Sequence, residues 1–183
     1  HRKAHLNRER GFIYHHCKRT AKSVILLREM ATQDASHDDA LRIAAMFHDI
    51  GKGIEPHDVT GAVLAQTLLE EVVPEPLLGE VVRLIGAHKN WKVDDLYANL
   101  LQDADVMDHF GTIEVGISFQ HGAYSENGME ETRRWYREGF PPYVEHTRRQ
   151  LHFDFARAIY DEKVAFTQAF MERFFVEIEG LYF

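Results

Sequence analysis

Apolar residues recur at helical spacing along most of the chain, and four of its twelve histidines recur with them on the inward sides of four different predicted helices. That pattern leaves few ways to fold. Each buried imidazole needs partners for its ring nitrogens once water is removed. No stretch alternates in the manner of a strand, so the fold class is all-α.

The first helix is expected from about Leu6 to Met30, with Ile13, Cys17, Thr20, Val24, Leu27 and Ala31 as its stripe. A wheel at ~100° per residue sets His16 at the edge of that stripe and His15 on the opposite side. A second helix, about Asp39–His48, aligns Leu41, Ala44, Ala45 and His48, with Ser36 or Asp38 as its cap. A third, from His57 to about Val72, aligns His57, Gly61, Leu64, Ala65 and Leu68. A fourth, about Leu77–His88, ends in line with His88. A fifth, about Asp94–His109, turns Leu96, Leu100, Ala104 and Met107 inward and carries Asp103, Asp105 and Asp108. Carboxylates in an apolar helix are costly when buried unpaired. The wheel places Asp103 nearer the stripe than Asp105.

Between the second and third helices lies Phe47-His48-Asp49-Ile50-Gly51-Lys52-Gly53. His48 and Asp49 offer a ring nitrogen and a carboxylate to one cation. The glycines permit a sharp turn, and Lys52 between them can aim a positive charge at whatever the cation holds. Beyond Gly111 the expectation is a short helix over Thr112–Gln120, a loop over His121–Gly128, and a polar helix over Met129–Glu138. A break at Gly139–Pro142 then precedes a long helix over Tyr143–Glu179 whose inward face is Leu151, Phe155, Ala158, Ile159, Phe166, Ala169 and Phe170. Arg133, Arg134, Arg137, Arg148 and Arg149 read first as a solvated face and second as an anion patch. One domain is expected over residues 1–183, with a core of about 6–111 and a helical C-terminal extension over about 112–183.

His16, His48, His57 and His88, joined by two or three inward carboxylates, are hard to satisfy as core and easy to satisfy around a cation. Mixed imidazole and carboxylate donors suit Fe, Mn, Zn or Co and disfavour calcium. Six donors exceed one tetrahedral site, which points to one or two ions. A pair of ions lowers the pKa of a shared water and clamps both oxygens of a phosphoryl displacement. The net charge of −8 argues against a nucleic-acid polymer as partner and leaves room for a small anionic substrate. The single cysteine, Cys17, excludes an internal disulfide and fits a reducing cytoplasm. No uninterrupted apolar run approaches the ~18 residues of a membrane span, so no membrane is expected.

The sequence His16-Cys17-Lys18-Arg19-Thr20, then Phe47-His48-Asp49-Ile50-Gly51-Lys52, then Gln102-Asp103-Ala104-Asp105 with Asp108 and Gly111 resembles the HD-domain metal-dependent phosphohydrolase superfamily. The last stretch is similar to that of a bacterial subgroup of small HD hydrolases. The resemblance implies a helical bundle of five core helices plus C-terminal helices. It implies that His16, His48, Asp49 and Asp105 hold a first metal, against the wheel's preference for Asp103. It implies a second site through His57 and His88. Asp49 and Lys52 would be catalytic, with Lys52 and Lys89 binding substrate. The activity implied is hydrolysis of a small phosphoester, a nucleotide among the candidates. The chain lacks the Gly-Tyr-Pro signature of the cyclic-dinucleotide phosphodiesterases. It has Lys52 where members acting as 5′-nucleotidases are expected to carry a carboxylate. The alternatives are a di-iron oxygenase of the same fold, or a metal-bound nucleotide sensor without turnover.

Overall fold

A computed structural model describes residues 11–181. Among them every regular element is helical, and no helix is long and apolar enough to cross a membrane. His1, His5 and the expected start of the first helix at Leu6 lie outside the described residues. The described residues form two compact units, one ending at Asp108 and the other beginning at His109.

The first unit consists of α1 (Phe12–Ala31), α2 (Asp38–Phe47), α3 (His57–Leu69), α4 (Leu77–Ala87) and α5 (Leu96–Asp108). α1 packs against α2 and α5, α2 against α4, and α3 against α4. Val24, Leu41, Leu84, Ile85, Leu100 and Leu101 are essentially without solvent contact. Ala44, Ala45 and Ala104 are equally buried. Their small side chains let helix backbones approach, and close packing of this kind confers much of a core's stability.

Two details differ from expectation. α2 is capped by neither Ser36 nor Asp38; His37 precedes it without a side-chain cap. Asp38 lies in the first turn, where both its oxygens accept from Arg28 at 2.6 Å. On α3, Leu68 is exposed and Leu69 is buried, with Ala62 joining the inward face. Val59 and Val63 are exposed on the same helix. A helix that is apolar nearly all round gives a wheel no clear direction.

The segment from His48 to Ile54 turns back through three successive backbone bonds: Ile50 N–H to Phe47, Lys52 N–H to Asp49, and Ile54 N–H to Gly51. Gly53 takes φ +100°, which few other residues adopt. Gly51 is required for a different reason. A Cβ there would stand 2.5 Å from the His57 carbonyl oxygen and 2.6 Å from the Gly61 nitrogen, both backbone atoms. Glycine at positions 51 and 61 therefore lets the turn lie directly on the start of α3.

The second unit comprises α6 (Thr112–Tyr124), α7 (Met129–Arg134), a π-helical turn (Trp135–Gly139), α8 (Phe140–Gln150) and α9 (Asp154–Ile178). The expected loop from His121 is still helix until Tyr124. The expected break at Gly139–Pro142 does not occur, because Pro141 and Pro142 fall in the first turn of α8, where a missing N–H costs nothing. The expected long helix is instead two, divided at Leu151–Phe153. There Arg157 donates to the freed carbonyls of Leu151 and His152. The division rotates the buried face. Ala156, Tyr160, Val164, Thr167 and Met171 point inward, while Phe166 and Phe170 are exposed. Most of the arginines are paired with carboxylates: Arg133 with Glu130 and Glu179, Arg134 with Glu131, Arg148 with Asp161, Arg149 with Glu145. That pairing is the charged surface of the first reading, not an anion patch.

Gly51→Ala is expected to lower stability by roughly 1–3 kcal/mol, the usual cost of forcing atoms into a filled space. Thermal denaturation by circular dichroism measures it. An unchanged Tm would mean that the turn and α3 do not meet as described.

Candidate metal centre

All the inward histidines of the first unit converge with Asp49 and Asp105 in one buried space. His16 lies on α1, His48 directly after α2, His57 at the first residue of α3, His88 directly after α4 and Asp105 on α5. His16, His48 and His88 are at most 1% exposed, His57 is 5% exposed and Asp49 is 2% exposed, so water satisfies none of them fully. His15 is exposed, as the wheel expects.

The orientation of the rings follows one rule. The Nδ1 of each ring has a partner on its outer side. That of His48 donates to the Ala45 carbonyl at 2.8 Å, and that of His88 to the Ile85 carbonyl at 2.7 Å. Both partners lie three residues back, where a helix end leaves carbonyls without an intrahelical donor. His16 Nδ1 stands 2.8 Å from Asp108 Oδ2, and Arg19 grips that same carboxylate through Nε at 2.8 Å and Nη2 at 2.9 Å. His57 Nδ1 stands 3.0 Å from Glu55 Oε2. The tautomer that donates from Nδ1 leaves the Nε2 lone pair facing the centre, which is how metal-binding imidazoles are held.

The Nε2 atoms and carboxylates fall into two groups whose donor atoms lie within 4.8 Å of one another: His16, His48 and Asp105; and Asp49, His57 and His88. In the first, Asp105 Oδ1 is 3.0 Å from His16 Nε2 and 3.4 Å from His48 Nε2. In the second, Asp49 Oδ1 is 3.5 Å from His57 Nε2. Asp49 also reaches toward the first group, its Oδ2 3.9 Å from His16 Nε2 and its Oδ1 3.9 Å from His48 Nε2. Asp103 is fully buried and belongs to neither group. The carboxylate that the wheel ranks lower is the one beside the histidines.

The electrostatics fit a cation. Burial opposes charge on His16, but hydrogen bonds to Asp105 and Asp108 outweigh it and hold the ring up at about 9. Burial opposes charge on His48 too, and the Asp105 carboxylate overrides it and raises the ring well above its ordinary value. Burial and the neighbouring His48 charge push His88 down to about 4. Asp49 is held below its ordinary value, against burial, by His48 and Lys52. Protons or a cation must balance the carboxylates here, and imidazoles trade one for the other. Asp49 Oδ1 and His88 Nε2 are moreover buried without a hydrogen-bond partner among the described residues. Such atoms cost about 1–3 kcal/mol each when nothing binds them. Two imidazoles and a carboxylate per group suit iron, manganese, zinc or cobalt.

Lys52 donates to Asp49 Oδ2 at 2.7 Å and keeps 23% of its side chain exposed, so it borders both the centre and open space. Lys89 is exposed in the turn after His88. Glu55 lies outside the motifs that carry the other site residues, yet its carboxylate meets His57 Nδ1. Its signal is local: a carboxylate two residues before a histidine at a helix start reaches back to that ring.

The HD-domain family model matches residues 13–109, which is more than half of the chain. The chain belongs to the HD-domain family. Solved structures share the fold. One is Bacillus subtilis YpgQ in complex with ADP, 17% identical, with a TM-score of 0.66 over 90% of this chain and 88% of that one. A predicted HD-superfamily hydrolase from an uncultured Thermotogales bacterium is 22% identical, with a TM-score of 0.60 over 88% of this chain and 79% of its own. An HD-superfamily hydrolase from Bacillus thuringiensis is 20% identical, with a TM-score of 0.67 over 90% and 85%. A comparison with curated proteins finds no match.

For this HD domain, His48→Ala is expected to lose bound metal while remaining helical, and His15→Ala is expected to match the wild type. Metal analysis of the purified proteins, with circular dichroism alongside, makes the comparison. Full metal in His48→Ala would place the centre elsewhere.

Proposed function

We propose that this HD domain is a metal-dependent phosphohydrolase acting on a small phosphoester of the nucleotide class. The observation that carries the reading is the position of Lys52: its ammonium lies against Asp49, which itself stands between the two histidine groups. Phosphoryl transfer needs little covalent chemistry from the protein and much positioning and charge neutralisation. YpgQ, crystallised with ADP, supports a phosphorylated small molecule as ligand at the level of shared fold.

In this reading His16, His48, Asp49 and Asp105 would hold a first ion, and His57 and His88 would complete a second site with Asp49. A divalent transition metal (Fe, Mn, Zn or Co; one or two ions) would supply Lewis acidity and a water of near-neutral pKa. Asp49 spans both groups, so its carboxylate would orient a water toward phosphorus, opposite the ester oxygen. The P–O ester bond would break as the water's oxygen bonds to phosphorus, and the alcohol would leave with a proton from that water. Lys52 turns from Asp49 toward the phosphoryl oxygens and neutralises the charge that accumulates on them. Lys89, exposed beyond His88, contacts the substrate at the rim. Arg19 holds Asp108 through Nε and Nη2, and Asp108 in turn holds His16.

Phosphate release from a panel of small phosphoesters, with Mn²⁺ or Co²⁺, tests the activity. A mixed-valent di-iron EPR signal perturbed by a small organic ligand, without phosphate release, would turn the assignment to an oxygenase. Lys52→Ala is expected to keep its metal and to lose turnover by roughly 10²–10³-fold, as for removal of one preorganised charge-stabilising donor. Steady-state kinetics on the metal-loaded variant decide it; an unchanged kcat/KM would remove Lys52 from the chemistry.

A further inference from the structure

Gln102, on α5, is completely buried and is used in an uneven way. Its amide nitrogen donates to the Ala87 carbonyl at 2.8 Å and to the Asn90 carbonyl at 3.1 Å. Its Oε1 is buried without a hydrogen-bond partner among the described residues. Both N–H bonds thus go to one short turn, while the acceptor side of the amide goes unsatisfied. A residue serving only to fill that volume would be better apolar, since an unpaired buried carbonyl is a net cost.

The turn it holds is the one that carries His88. Ala87 is the last residue of α4, and its carbonyl is among those that a helix end leaves without an intrahelical donor. The Asn90 N–H also bonds to the Ala87 carbonyl, at 2.9 Å, which closes the turn around His88. The His88 ring is itself anchored outward, Nδ1 to Ile85. Backbone and ring are therefore fixed from two directions, and Nε2 is left facing Asp49 and His57. On the same helix, three residues on, Asp105 sits with His16 and His48, and a further three residues on Asp108 holds His16 Nδ1. One helix thus touches both groups.

We propose that Gln102 is a positioning residue for the second histidine group: by fixing the Ala87–Asn90 turn from α5, it holds His88 in register with Asp49 and His57 and ties that group to the one containing Asp105. The inference rests on the reading that Asp49, His57 and His88 hold an ion.

The test compares wild type, Gln102→Met and Leu101→Ala. Met keeps the length and volume of Gln and removes the amide. Leu101 is an equally buried neighbour on α5 that makes no contact of this kind, so its variant reports lost packing alone. Each protein is titrated with Mn²⁺ and followed by hydrogen exchange in the metal-free form. Gln102→Met is expected to bind one ion as the wild type does and the second at least tenfold more weakly, with faster exchange confined to residues 87–91. Leu101→Ala is expected to lose stability and keep both ions. Two ions at wild-type affinity in Gln102→Met would overturn the proposal, as would equal weakening in Leu101→Ala. A wild type saturating at one ion would remove the two-site reading instead. Exchange over 87–91 then decides for Gln102 alone, an unchanged rate refuting its hold on the turn. Should Gln102→Met fail to fold, Gln102→Asn, shorter by one methylene with its amide kept, is expected to show a smaller change in the same two measurements, and wild-type values in both would refute the proposal.

Discussion

The outer hydrogen bond on each Nδ1 is the constraint on which the rest of this molecule depends. Four buried imidazoles pointing at random would leave the carboxylates unmatched. Four that each give Nδ1 to an acceptor behind them turn their Nε2 atoms inward, where a proton or a cation can be held. The acceptors come from three sources: carbonyls at helix ends for His48 and His88, a buried carboxylate clamped by Arg19 for His16, and a half-exposed carboxylate for His57. The helix ends do double duty. Positions just past α2 and α4 put a histidine at the rim of the bundle's interior and supply its backbone partner at the same time.

Convergence of those helix ends needs close backbone approach. Gly51 and Gly61 supply it on one side, where a Cβ at 51 would overlap the backbone at the start of α3 and one at 61 would press on the His48 carbonyl at 3.2 Å. Ala44, Ala45 and Ala104 supply it between helices. The same turn that brings His57 up to Asp49 carries Lys52 outward to the border of the site. Glycine, alanine and the clustered histidines and carboxylates are thus parts of one arrangement, in which backbone proximity substitutes for long side chains reaching inward.

The second unit follows ordinary rules of packing and charge. Glu114 is buried there, and burial pushes its carboxyl above the ordinary range, against hydrogen bonds donated by Tyr136 and Ser118. Elsewhere its carboxylates pair with arginines at the surface, where such pairs contribute little to stability. Its helices carry none of the residues assigned to the metal centre.

Helix number and type in the first unit, the inward choice of His16 over His15, and the convergence of His48 with Asp49 were legible in the sequence. Each is set by local periodicity or by adjacency, and both are written in residue spacing. What spacing could not decide lies where a side chain's partner is remote in sequence. A wheel ranks Asp103 above Asp105, because it measures only distance from an apolar stripe; the arrival of α1 and α2 beside α5 selects Asp105. The helical continuity through Pro141 and Pro142, and the division of the final helix at Leu151, depend on first-turn tolerance and on Arg157 meeting freed carbonyls. Gln102 reads in sequence as one polar residue in a helix. Only the folded chain brings its amide to Ala87 and Asn90, because those carbonyls belong to a helix end whose place is set by packing, not by anything within reach along the chain.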